Sequence, residues 1–294
     1  MTAILDTETN LTEVPDDRPW RRALRRLVRR RGAMVGLAVV VFFVLVAISA
    51  DRIAPYAATA TDWGAVRKAP SLAHWFGTDE IGRDVLSRVM FGARASLMAG
   101  VVSVLISLSF GVPIGLLSGY VGGFLDGLLM RIVDAMLACP FLILAIALAA
   151  FLGPNLTNAM IAIGISAMPA FVRLTRAQTL STKVEDYVEA AKAVGNPHLR
   201  IVLRHILPNI LAPIMVQATL AIAAAIIAEA ALSFLGLGQQ PPAPSWGSML
   251  NTAKNFLDQA PWMAWWPGLA SFLVVLSFNL LGDGLRDALD PKHR

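Results

Sequence analysis

Long stretches without a single charge, separated by short polar segments, dominate the pattern along this 294-residue chain. Uncharged runs occupy 32–50, 95–125, 135–172, 205–228 and 259–282. A helix needs about 20 apolar residues to cross a hydrocarbon core. Four runs therefore hold one span each, and the 38-residue run at 135–172 holds two, because Gly153-Pro154-Asn155 interrupts it. The spans predicted on this basis lie near 34–50, 95–118, 128–152, 156–172, 208–234 and 267–285. Ahead of them the pattern changes. Residues 1–17 are polar and acidic and read as a disordered tail. Residues 18–31 read as an amphipathic helix, with Trp20, Ala23, Leu24, Leu27 and Val28 on one face and seven arginines around the rest. Such a helix lies flat on an anionic membrane surface. Residues 34–50 also have the look of a signal-peptide core, but the preceding region is too long and five spans follow, which favours an anchor.

Composition sharpens this into a class. Residues from the set AVILMFWYC make up 56% of the chain, charged residues only 15%, and the mean hydropathy is +0.62. Soluble domains carry about 25% charged residues, so a water-soluble enzyme, a disordered chain and a fibrous one are all excluded. The expectation is an all-α polytopic membrane protein with six transmembrane helices. Six spans place both termini on one side, and 18 of the 25 Lys and Arg residues then fall on that side. The positive-inside rule makes it the cytoplasm. The arginine block at 18–31 abuts a span, which argues against nucleic acid as its partner. A single cysteine, Cys139, rules out internal disulfides and cysteine zinc clusters, and reads as a packing residue. Six of the seven tryptophans fall in the two segments expected outside, 51–94 and 235–266. Interfacial anchoring and docking of an external partner both account for them.

Within the spans little chemistry is signalled. Gly111, Gly115 and Gly119 recur every fourth residue, a close-packing seam either inside this chain or to a partner subunit. Pro113, Pro140 and Pro169 are candidate kinks. Glu229 is the one carboxylate well inside a span, a functional candidate or a structural hydrogen-bond acceptor. Arg131 and Asp134 are expected to pair locally. The sequence contains neither HExxH nor GxSxG, and none of its five lysines follows a glycine, so it lacks a phosphate-binding loop. No catalytic residue or metal site is assigned. If energy drives this protein, another subunit supplies it.

The most informative stretch is the segment 173–207, expected to be cytoplasmic. Its pattern is helical and amphipathic, Glu189-Ala190-Ala191 favour a helix, and Gly195-Asn196-Pro197 end it. A second short helix over 198–206 runs to Leu207-Pro208, where the fifth span starts. The result is a helix–turn–helix elbow along the inner face. A plain connecting loop would not need 35 ordered residues.

Here the sequence resembles a known family. Glu189-Ala190-Ala191, Gly195 and Ile206-Leu207-Pro208 are similar to the EAA loop of ABC-importer permeases. The run His74–Asp84 with Gly92-Ala93-Arg94, EAALSFLGLG around Glu229, Pro241-Pro242 to Trp246-Gly247, Pro261-Trp262, and Asn279–Asp287 resemble the C-type permease of dipeptide, oligopeptide and nickel importers. Together they cover about residues 20–294. The resemblance implies a type I ABC-importer permease fold; it leaves the tail at 1–17 unassigned, and after the amphipathic helix at 18–31 it makes 32–294 the six-span domain, its core near 95–285. It also implies a bacterial inner-membrane location and a set of partners: a paralogous B-type permease forming a heterodimer, two cytoplasmic ATP-binding subunits that hold ATP and Mg, an external solute-binding protein, and membrane lipid. Glu189, Ala190, Ala191, Lys192, Gly195, Asn196, Leu207 and Pro208 would form the ATPase-coupling elbow, and Gly77, Asp79, Gly82, Arg83 and Asp84 an external family motif. The implied cargo is a di- or oligopeptide, with nickel chelates and glutathione-like peptides behind. An ion-coupled carrier relying on Glu229, and a membrane scaffold whose elbow merely docks a protein, are the rival readings.

Overall fold

The computed structural model describes residues 25–289. The tail at 1–17, the first half of the basic stretch (18–24) and residues 290–294 lie outside them. Among the described residues, ten α-helices follow a helical stretch at 25–29: α1 Arg31–Ile53, α2 Val85–Val121, α3 Gly123–Leu137, α4 Phe141–Leu152, α5 Leu156–Thr182, α6 Asp186–Ala193, α7 His198–Ile201, α8 Leu207–Phe234, α9 Trp246–Ala253 and α10 Trp262–Leu289. Among the described residues the only β pairing is an isolated bridge between Thr78 and Asp84. Five helical stretches among the described residues are long and apolar enough to cross a membrane, and the α3–α4 pair makes a sixth if counted together.

Helix α2 is the axis. Its 37 residues extend about 55 Å at 1.5 Å per residue, well beyond a hydrocarbon core of about 30 Å. Asp84 caps its first turn by accepting from the Ser87 amide at 2.8 Å. One long side of α2 consists of small residues facing α5. A methyl group at Gly111 would sit 2.8 Å from the Phe171 Cβ, at Gly115 2.6 Å from the Val172 carbonyl, and at Gly119 2.8 Å from the Thr179 Cβ. The glycine repeat is thus a seam within this chain. Hydroxyls fasten it further along: Ser103 donates to the Met160 carbonyl at 3.0 Å and Ser107 to the Gly164 carbonyl at 2.7 Å. In lipid such close backbone approach and interhelical hydrogen bonds replace the hydrophobic drive of soluble cores.

The predicted third span, 128–152, is not one straight helix. The chain bends by 90° between α3 and α4, and neither piece, at about 22 and 18 Å, spans alone. Pro140 supplies the reason: it lacks an N–H and its ring crowds the preceding turn. Helix α5 overshoots its predicted end at 172 and runs to Thr182. Its two arginines beyond that point are neutralised by α3. Arg176 holds Asp126 through Nε and Nη2, both at 2.6 Å, and Arg173 holds Asp134 at 2.6 Å. Asp134 therefore pairs across helices, not with Arg131 as its spacing on one face suggested.

Helix α1 lays Ala33, Gly36, Phe43, Ala47 and Ala50 against α2 and α10 and turns Val35, Phe42, Leu45 and Ile48 outward. Residues 25–29, the described part of the basic segment, are helical. Arg30 bridges to Asp287 of α10 at 2.8 Å. The six described tryptophans divide into two groups. Trp63, Trp75 and Trp265 are exposed, as interfacial anchors would be. Trp246 is fully buried, donating to the Val89 carbonyl at 3.0 Å and meeting Phe43 edge to face. Trp262 donates to the Thr78 carbonyl at 3.1 Å, and Trp266 stacks on Phe76.

Candidate functional site

Three regions hold the residues singled out from the sequence. At one end of the bundle lies the elbow. Val188 and Ala191 of α6, with Ile201 and Ile206, are buried against Leu116, Ile210 and Ile214. Glu189, Ala190 and Lys192 remain exposed on the other side of α6. The turn forms as its residues require. Gly195 adopts φ +82°, a left-handed conformation that costs an ordinary L-residue about 1–2 kcal/mol. The Asn196 amide bonds back to the Ala191 carbonyl at 3.2 Å and the Gly195 amide to the Lys192 carbonyl at 2.9 Å, the six-to-one and five-to-two pairing of a Schellman cap. The Asn196 side chain adds a second bond to the Ala191 carbonyl at 3.1 Å.

After the turn, α7 does not stop at Leu207-Pro208. It passes through a π-helical turn, Val202–Ile206, straight into α8, with Pro208 in the first turn of α8. The wider turn and the terminal position both suit a residue without an N–H. The elbow is therefore one arm, α6, hinged at Gly195 onto a helix continuous with a span. Val194 and Leu199 flank the hinge at 83% and 71% exposure, an unburied apolar tip on an otherwise polar segment. Tyr187 on α6 is also exposed, and desolvation followed by the Glu185 carboxylate raises its phenol above the ordinary range.

Glu229 sits deep in the bundle, fully buried in α8. Ser233 Oγ donates to its Oε1 at 2.6 Å, and Ser96 Oγ from α2 donates to its Oε2 at 3.1 Å. The Trp246 amide reaches the same Ser96 oxygen at 3.3 Å. This carboxyl ties α8, α2 and the start of α9 together. Ser233 was legible as its neighbour one turn on; Ser96, 133 positions away, was not.

At the opposite end the His74–Asp84 run folds into a compact knot. Asp79 Oδ1 accepts from the Ile81 and Arg83 amides at 3.1 and 2.9 Å, and its Oδ2 from Arg83 Nε at 2.6 Å. Arg83 Nη2 reaches Glu80 at 2.5 Å, and His74 Nδ1 lies 3.0 Å from Asp84. Gly77 and Gly82 have φ of +77° and +81°. A side chain on Gly82 would strike the Asp62 carbonyl at 1.9 Å, and one on Gly77 the Trp262 ring at 2.6 Å. Glu80 titrates above the usual carboxylate range, because burial and then the neighbouring Asp79 charge disfavour its ionised form. Thus Gly77, Asp79, Gly82, Arg83 and Asp84 do come together, as the scaffold of a rigid loop that also caps α2. Among the described residues no group of three or more His, Cys, Asp or Glu is arranged to hold a metal.

The described residues thus form a helical bundle with small-residue seams, buried and satisfied carboxyls at Asp79, Asp84 and Glu229, and an apolar-tipped elbow at one end. This build has known relatives. Residues 111–294 match the family described as binding-protein-dependent transport system inner membrane component, and residues 18–70 match the N-terminal TM domain of oligopeptide transport permease C. The chain belongs to the binding-protein-dependent transport system inner membrane component family. It is 49% identical over 276 residues to the dipeptide transport system permease protein DppC of Alkalihalophilus pseudofirmus, covering 94% of this chain and 91% of that one. It is 50% identical over 275 residues to the glutathione transport system permease protein GsiD of Shigella flexneri, covering 93% and 91%. Among solved structures, the MetNI methionine ABC transporter in an inward-facing conformation superposes with a TM-score of 0.56 at 21% identity, over 70% of this chain and 97% of that one. At that identity the likeness speaks for the fold alone, that of a type I ABC-transporter permease.

Proposed function

We propose that this chain forms half of the translocation path of an ATP-driven importer of small peptides and carries the lever through which separate ATPase subunits move it. The observation that supports the reading is the elbow: a capped arm anchored by Val188 and Ala191, hinged at Gly195, and fused through α7 to the span α8. The exposed Ala190 and the apolar tip at Val194 offer the surface on which an ATPase would seat, while Glu189, Lys192 and Leu199 line the groove beside it. Pro208, exposed, and Leu207, half-buried, stand where the lever enters the span. In this reading ATP and Mg bind on the two ATPase subunits. Closure of those subunits pushes the elbow, the elbow tilts α8, and the paired permeases rock from one open side to the other. Both termini and the elbow face the cytoplasm of a bacterial inner membrane, and the His74–Asp84 knot faces an external solute-binding protein. The second permease is a paralogue of B type, forming a heterodimer.

Relatives acting on dipeptides and on glutathione, at nearly equal identity, support a short peptide as cargo, chosen by the binding protein. The test is reconstitution of this permease with its neighbouring permease, ATPases and binding protein in proteoliposomes. ATP-dependent uptake of labelled dipeptide that persists with a proton uncoupler is the expected result. Uptake that collapses with the uncoupler while ATP is held constant would point to an ion-coupled carrier. Downhill flux alone would point to a channel or scaffold.

A further inference from the structure

Between the elbow and the end of α2 runs a cavity of about 830 Å³, within the range of about 300–1,000 Å³ typical of ligand sites. Its walls are apolar and unpartnered: Leu117, Val121, Val184, Leu199 and Leu203 line it and stand 48–71% exposed. Two ammonium groups close one edge. Lys183 Nζ donates to the Gly119 carbonyl at 2.8 Å, and Lys192 Nζ to the Lys183 carbonyl at 3.3 Å. An ammonium has three N–H groups, so each lysine keeps donors to offer. Glu189 lines the same cavity, and His198 is engaged by the Tyr120 hydroxyl at 2.7 Å. Two cations face one carboxylate, which leaves the rim net positive.

An apolar trough with a cationic rim, placed where a span ends, matches an amphiphile whose head is anionic. We propose that this groove seats an anionic phospholipid, its acyl chain along Leu117 and Leu203 and its phosphate at Lys183 and Lys192. The inference rests on the proposed orientation, which puts the elbow at the anionic inner leaflet. Because α6 and α7 form one wall and α2 the other, a seated lipid fills the space into which the lever would swing. Lipid composition would then tune coupling.

The test uses this chain co-expressed with its partner subunits, purified into nanodiscs of phosphatidylglycerol or of phosphatidylcholine. Leu203 is replaced by photoreactive benzoylphenylalanine, and the adduct on this chain is weighed by mass spectrometry after irradiation. The expected result is a phosphatidylglycerol adduct that falls at least about tenfold in Lys183→Gln/Lys192→Gln and is retained in Lys183→Arg/Lys192→Arg. A phosphatidylcholine adduct of equal yield, a cross-link to another subunit, or yield unchanged by removing the lysine charges would each overturn it. Co-purification of the ATPases is scored separately, so loss of the permease reading and loss of the lipid site are distinguishable.

Discussion

Ser96 on α2 and Glu229 on α8 share a hydrogen bond of 3.1 Å in the buried centre of the bundle. The carboxyl is held on both oxygens by serine hydroxyls, one from its own helix and one from another. That arrangement suits a clasp better than a site that must release an ion. Replacing Glu229 by Ala strands both hydroxyls, at a cost of about 1–3 kcal/mol. Glu229→Gln retains an acceptor and the side-chain volume, and should stay within about 1 kcal/mol of the parent. Thermal unfolding in detergent checks both. Uptake by Glu229→Gln should remain near the parent value; a loss of several orders of magnitude would revive the ion-coupled reading.

The α2–α5 seam makes a sharper contrast. Gly115→Leu forces its side chain into the Val172 carbonyl, 2.6 Å from the new Cβ, whereas nothing lies within 4 Å of a Cβ at Gly127 on α3. The first substitution should cost about 1–3 kcal/mol by overpacking, and more if the helices separate. Gly127→Ala should be neutral or gain up to about 1 kcal/mol from helix propensity. Equal melting temperatures for the two variants would contradict the seam.

At the elbow, Gly195→Asp should abolish transport while leaving membrane insertion intact. The substitution strains the hinge by about 1–2 kcal/mol and puts a carboxylate between Val194 and Asn196. A Cβ there meets no atom, so the bundle itself has no reason to unfold. Normal peptide uptake by this variant would remove the coupling role.

Glu80 predicts a pH dependence of known sign. Burial first and the Asp79 charge second raise its carboxyl above the ordinary glutamate value of 4.5. The folded state therefore binds this proton more tightly than the unfolded state. The stability this group contributes is fully present below pH 4.5 and is lost as pH rises through the higher folded value. Glu80→Gln should melt higher than the parent at pH 7, by less than the equivalent of about 1 kcal/mol, and the gap should close on acidification. Melting curves from about pH 4, near the ordinary glutamate value, up to about pH 8 decide it; a gap that widens at low pH would reverse the assignment.

Much of this was legible because charge and periodicity act locally. The uncharged runs mark the spans, and Gly195-Asn196-Pro197 marks the hinge, since few residues tolerate φ near +82°. Long-range pairings were not legible. Asp134 has Arg131 one turn away, and nothing in the spacing says that Arg173, 39 positions on, takes it instead. Trp246 looks like an interfacial ring until Gly92 is seen beside it, where a Cβ would lie 3.2 Å from the indole. Prolines were ambiguous for a different reason. Pro113, Pro169, Pro213 and Pro267 all lie inside continuous helices, while Pro140 marks a right-angle bend.

Glycine contacts along one half and serine hydroxyls along the other fasten α2 and α5 into a single plank. Under the proposed coupling, torque delivered near Lys183 would reach the far leaflet as tilt of that plank. The crooked α3–α4 corner would travel with it, joined through a glycine pair, two ion pairs and the buried Ala145 and Ala149 of α4.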